Sequence, residues 1–255
     1  MNYNATTIAI GSFVKRLLVA IIFLLLSYSH TNAQNHDFDA LMREYGMVNI
    51  QDLDPEILVE LKYSTEGNFV GKDMYQDLES AYLEKEFASR VVLAQKILKQ
   101  RNPNYTILIY DAARPISTQR TMHKMVEGTE LERFVADGTR GGRHNFGVAV
   151  DLTIATIDGT PLDMGAGFDD FTEAASVKGT PDTSDPSTRT IEVYKRYAEE
   201  LVAKSVITRE SANNRILLLE VMLEAELYPY RREWWHYEDI MPMSSVRSNY
   251  RLLDF

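Results

Sequence analysis

The sequence predicts one α+β domain, and three observations carry that reading. Two short runs rich in β-branched and aromatic residues, Tyr105 to Tyr110 and Gly147 to Thr153, have the length and composition of buried strands. Longer segments with apolar residues at helical spacing stand apart from them, so helices and strands are partly segregated instead of alternating. The third observation is length. Beyond an N-terminal leader, residues 34–255 are 222 residues, enough for one sizeable core.

The leader has the order of a secretory signal. Lys15 and Arg16 precede the apolar run Leu17 to Leu26, and Thr31-Asn32-Ala33 offers a small-residue cleavage site before Gln34. The strictly apolar run is ten residues long, against roughly 20 for a membrane span. The expected division is therefore a signal peptide at 1–33 and the folded domain at 34–255, with export to the periplasm or beyond and no membrane attachment after cleavage. The chain has no cysteine. That excludes a lipid-modified cysteine anchor and disulfides, and limits any zinc ligands to His, Asp and Glu. Beyond residue 33 there are 25 basic and 37 acidic residues, a net charge of −12. With no basic run or basic–aromatic stripe, nucleic acid is excluded as a partner.

Residues 34–47 read as a polar lead-in. Residues 48–63 suit a strand or short helix, and Tyr63 to Tyr75, rich in turn formers and aromatics, suits a loop. Over 78–101, Leu78, Ala81, Tyr82, Phe87, Val91, Leu93, Ile97 and Leu98 predict one face of a helix that Asn102-Pro103-Asn104 ends. The first strand then delivers Asp111 and Arg114 at its end. Ser117 to Val126, after Pro115, predicts a helix. Gly138 to Gly142 contains three glycines, and the second strand follows at 147–153. Residues 154–189 look irregular. Helices are expected at about 190–205 and 208–226, the second capped near Thr208. Tyr230 to Tyr237 is again strand-like.

Four histidines lie beyond the leader: His36, His123, His144 and His236. His36 belongs to the lead-in, and His123 reads as a surface helix residue. His144 follows two glycines, and Asp151 ends the run Val148-Ala149-Val150. A carboxylate after such a run is costly to bury without a partner or a metal. The spacing of seven puts the two residues on opposite faces of a flat strand, so Gly147 must bend the chain for them to converge. Glu233 and His236, three apart, likewise need a turn or bulge to meet. Two imidazoles, one carboxylate and a nearby unligated carboxylate are what a hydrolytic metal site requires. The donor set suits zinc and also iron(II). Spacing alone leaves each pair divided between metal ligands and hydrogen-bonded structural residues. Arg114 is divided between an oxyanion-stabilising role and a salt bridge to Asp111. Trp234 and Trp235 have core aromatics as their plain reading.

Gly142 to Asp151 resembles the S-x-H-x-x-G-x-A-x-D motif of the VanX-type D-alanyl-D-alanine dipeptidases, and Glu233 to His236 resembles their E-x-W-H. Asp111 to Pro115 is similar to their D-x-x-R-P, Tyr63 to Gly71 to their Y-x₄-N-F-x-G loop, and Met164 to Asp169 to M-G-x-x-F-D. The resemblance spans roughly residues 48–240. It implies a small antiparallel sheet with flanking helices, as in the zinc peptidases that share a fold with lysostaphin and the hedgehog signalling domain. It also implies one zinc ion per chain held by His144, Asp151 and His236, Glu233 as general acid/base and Arg114 at the tetrahedral intermediate. Substrate contacts are expected from Asp111, Tyr63, Asn68, Phe69, Met164, Phe168 and Trp235, in a small closed pocket walled by 63–75 and 164–170. The substrate implied is D-alanyl-D-alanine or a peptidoglycan-derived peptide. One departure stands out: the family's serine two positions before the first ligand is Gly142 here, which puts substrate affinity in question. The competing readings are a D,D- or L,D-carboxypeptidase and a non-catalytic zinc module. Retention of both Glu233 and Arg114 speaks against the latter.

Overall fold

A computed structural model describes residues 37–76, 78–177 and 190–255. The expected signal peptide, the cleavage site and His36 lie outside the described residues. Among the described residues, no helix is long and apolar enough to cross a membrane.

The domain is α+β. A five-stranded sheet has the order β2 (Leu58–Val59), β4 (Tyr105–Asp111), β5 (Ala149–Thr156), β7 (His236–Glu238) and β6 (Tyr228–Pro229). Its pairings are antiparallel except β2–β4, which is parallel. A two-stranded antiparallel pair, β1 (Val48–Asn49) with β3 (Tyr82–Leu83), lies apart from it. Among the described residues, the α-helices are α1 (Phe38–Glu44), α2 (Ile50–Leu53), α3 (Lys85–Arg101), α4 (Ile116–Val126), α5 (Ile191–Ala203), α6 (Arg209–Glu224) and α7 (Met243–Asn249). β4 and β5 are buried along nearly their whole length, which is why both read as continuous apolar runs.

Several boundaries differ from the sequence reading; β5 runs on to Thr156, into the stretch expected to be irregular, and the strand-like stretch Tyr230 to Tyr237 is a turn until β7 begins at His236. The polar lead-in ends in α1, whose Phe38 and Met42 enter the core. The helix expected from 78 begins at Lys85, because the Glu84 carboxylate accepts from the Glu86 and Phe87 amides and so caps it. Leu78, Ala81 and Tyr82 are buried but precede the helix, while Leu93 points outward, 45% exposed. The second strand starts at Ala149, since Gly147 is left-handed (φ +70°) and closes a 3-10 turn over Arg143–Phe146. A Cβ at Gly147 would lie 2.8 Å from the Glu84 amide, so the bend requires glycine. The expected helices at 190–205 and 208–226 are α5 and α6, and Thr208 caps α6 by accepting from the Ser211 amide.

Two loops are tied to this frame. Asn68 is the hub of the first. Its side-chain amide donates to the Lys62, Thr65 and Lys72 carbonyls, and its oxygen accepts from the Val70 and Gly71 amides. Arg215 on α6 holds the second by donating to the Met164, Ala174 and Ser176 carbonyls. Burial pulls its guanidinium down to about 10. Ser211 and Asn214 bind Asp163 on the same stretch, and the Trp234 indole donates to the Ala166 carbonyl.

Candidate active site

β5 and β7 pair antiparallel with Asp151 directly opposite His236. The turn before β7, closed by the Glu233 amide to the Tyr230 carbonyl, brings Glu233 to the same end. His144 sits in the 3-10 turn that Gly147 closes, and its backbone carbonyl accepts from the Arg114 amide. The two bends inferred from spacing are both present. They bring His144, Asp151 and His236 together as a candidate metal site.

The donor atoms form a triangle. His236 Nδ1 is 2.9 Å from Asp151 Oδ1, His144 Nε2 is 3.4 Å from the same oxygen, and the two nitrogens are 3.2 Å apart. A tetrahedral ion with bonds of about 2.0–2.2 Å has edges of about 3.3–3.6 Å between its ligands, so the triangle is close to that size, with the His236–Asp151 edge short of it. The outer nitrogens fix the tautomers. His144 Nδ1 donates to the Ala112 carbonyl at 2.7 Å, and His236 Nε2 donates to the Glu238 carboxylate at 3.1 Å. Neither partner can donate, so in neutral rings the inward nitrogens are bare lone pairs. Three acceptors then converge with no donor among them, an arrangement that a metal ion or an added proton resolves. Without a metal ion, the field draws in a proton: burial alone would lower His236, but Asp151 and Glu238 carry it up to about 10. Burial likewise opposes ionisation of Asp151, yet His144 and His236 hold it well below the usual carboxylate range.

Glu233 Oε2 is 3.9 Å from His236 Nδ1 and makes no bid for the triangle. Burial pushes its carboxyl up to about 7, with Asp151 adding to the rise and His236, His144 and Arg114 opposing it. Arg114 makes the salt bridge to Asp111 that was one of the two readings offered for it. It lines the cavity while donating through Nε and Nη2 to Asp111 and through Nη1 to Gln119 at 2.8 Å. Asp111 is wholly buried and also accepts from the Tyr75 hydroxyl. Its surroundings make it the group that aims Arg114.

His144, Asp151, His236, Glu233 and Arg114 line a cavity of about 440 Å³. Of the seven residues expected to meet substrate, Tyr63, Phe69 and Trp235 are in its wall. Asp111, Asn68, Met164 and Phe168 are not. Asn68 is spent on its loop, Met164 is buried, and Phe168 packs against Tyr63, Tyr110 and Trp235 behind the surface. Conservative motif spacing carries no side-chain direction, so these four could not be separated from true lining residues in advance. Trp234 is a core aromatic, as its plain reading had it. His123 is half-buried and bonded to the Val135 carbonyl, away from this cavity.

The sequence reading missed Asp169. It lines the cavity, accepts from the Tyr63 hydroxyl at 3.0 Å and the Phe69 amide at 3.3 Å, and is driven up to about 7 by burial. The signal was available in the segment ending Phe168-Asp169, where an acid follows an aromatic; its backbone is left-handed (φ +59°). The wall also includes Phe134, Val135 and Ala136, from a third loop that was not expected to contribute.

The sequence profile of the D-ala-D-ala dipeptidase family matches residues 43–189. The chain belongs to this family. It is therefore a member of a metal-dependent group of peptidases, and the His-Asp-His triangle is the matching feature of its fold. The match includes His144 and Asp151 and ends before Glu233 and His236, which β5–β7 pairing adds to the site. The D-alanyl-D-alanine dipeptidase of Escherichia coli is 29% identical over 192 residues, covering 75% of this chain and 83% of that one. That of Synechocystis sp. is 26% identical over 236 residues, covering 78% and 88%. That of Enterococcus faecium is 23% identical over 217 residues, covering 76% and 91%.

Proposed function

We propose that this member of the family is an exported zinc dipeptidase that hydrolyses D-alanyl-D-alanine to two D-alanines. The observation that carries the reading is the triangle of bare acceptors beside a half-buried, unligated Glu233. His144, Asp151 and His236 would hold the zinc ion. Bound there, zinc supplies a Lewis acid and lowers the pKa of water to about 7.

The remaining work belongs to the chain. Glu233, poised near neutrality, takes a proton from the attacking water and passes it to the departing amine. Arg114, aimed by Asp111 and Gln119, meets the negative charge that grows on the scissile carbonyl oxygen. Asp169 receives the substrate ammonium, which draws its carboxyl back to the ionised form. Phe69, Phe171 and Trp235 supply apolar wall for the two methyl groups.

The test is release of D-alanine by the purified protein, with and without a chelator, beside Glu233→Ala. We expect release that stops on chelation, returns with zinc and falls by at least about 100-fold in the variant. Cleavage of a stem pentapeptide but not the dipeptide would move the assignment to a carboxypeptidase; cleavage of neither would restore the binding-module reading. Export follows from the leader, and an intact mass beginning at Gln34 in the processed protein is the expected outcome. An unprocessed N-terminus in the native host would overturn it.

A further inference from the structure

Arg143 immediately precedes the ligand His144 in the 3-10 turn and lines the same cavity. Its side chain is 13% exposed, and its one ion pair runs from Nε to Glu238 Oε2 at 3.1 Å. Nη1 is buried and has no hydrogen-bond partner. A desolvated guanidinium N–H without an acceptor is costly, and native structures rarely leave one so. Arg114 differs: each of its three nitrogens already donates to Asp111 or Gln119. Of the two arginines in the cavity wall, Arg143 is the one with a buried nitrogen that makes no hydrogen bond.

A dipeptide at neutral pH is a zwitterion. In the proposed function, which this inference rests on, its ammonium pairs with Asp169, on the wall built with Tyr63 and Phe69. Its carboxylate needs a cation, yet most charged groups in the cavity are acidic: Asp151, Asp169, Glu233 and Glu238. Arg143 lines the same cavity, beside Glu238 and next to Gly142. We infer that Arg143 binds the substrate's terminal carboxylate and thereby makes the enzyme prefer peptides with a free C-terminus at this position over C-terminally blocked ones. A planar, permanently charged fork suits a carboxylate in geometry as well as sign. The anchor lies one residue from the position where the family's serine is replaced by Gly142.

Arg143 also touches Glu238, which orients His236, so a purely structural role must be told apart. The experiment is a four-way comparison of kcat/KM: wild type and Arg143→Gln, each on D-alanyl-D-alanine and on its C-terminal amide, with bound metal measured on both proteins. The expected result is a loss of about 10- to 100-fold for the variant on the dipeptide, mostly in KM, with less than about threefold on the amide and metal content unchanged. Arg143→Lys should recover part of the loss on the dipeptide alone. Equal losses on dipeptide and amide, or a fall in bound metal, would overturn the inference and reduce Arg143 to a support for Glu238. If wild type turns over neither compound, the proposed function itself fails and the inference falls with it.

Discussion

Asp151 and His236 face each other across hydrogen-bonded strands of the sheet, whereas Tyr63, Phe69 and Asp169 stand on loops with little regular structure of their own. The metal half of the cavity is placed by backbone ladder register, with one tight glycine bend to bring in His144. The substrate half is placed by side chains that tie loop carbonyls to a frame: Asn68 for one loop, Arg215 for the other. The difference teaches that the two tasks are separable. Strand register places Asp151 opposite His236, and the proposed function assigns the choice of substrate to the loops, so a change in one half should leave the other undisturbed.

The separation can be broken from either side, and the largest effect belongs to the metal half. Asp151→Asn removes the one carboxylate of the candidate ligand set and should lower metal affinity by more than about 100-fold, above the 10–100-fold typical of outer partners. Equilibrium dialysis against zinc checks this, and near-normal affinity would place the metal elsewhere. Next, Asp169→Asn changes the substrate half electrostatically. The folded protein holds this carboxyl near 7, above its ordinary 3.8. A raised acid binds more protons folded than unfolded between those values, so stability falls as pH rises through that window, by up to about 1.4 kcal/mol per unit. In metal-free protein without substrate, the variant should therefore lose less stability than wild type between pH 4 and 7. Parallel melting profiles would show that Asp169 titrates normally.

Smaller effects should stay on one side of the divide. Asn68→Ala unties its loop and should cost about 1–3 kcal/mol of stability and raise KM, while bound metal stays at one equivalent. A loss of metal would show that the halves are coupled after all. The smallest effect is expected from Gly142→Ser, which restores the family's serine. Position 142 has φ −97°, and a Cβ there would meet nothing closer than Asn145 Oδ1 at 3.8 Å. The fold should accept it unchanged, with a modest fall in KM as the readout; a drop in melting temperature would contradict the open space at this position.

What the sequence determined by itself was whatever depends on local chemistry. The two buried strands, α5, α6 and its Thr208 cap, the absence of cysteine and the short list of metal donors all follow from residue type and spacing. So did the need for a bend between His144 and Asp151, because seven residues on a flat strand point two ways and only Gly147 could turn the chain. Tertiary structure alone decided which face each residue shows. Asn68 and Asp169 belong to equally convincing motifs, yet one is consumed by its own loop and the other opens into the cavity. Leu78 and Tyr82 keep helical spacing, yet Glu84 caps the helix after them. Arg143 gives no sign in sequence of an unpartnered donor, and Phe134 none of a place in the wall. Such facts depend on contacts between segments far apart in the chain, and spacing along one segment carries no information about the other.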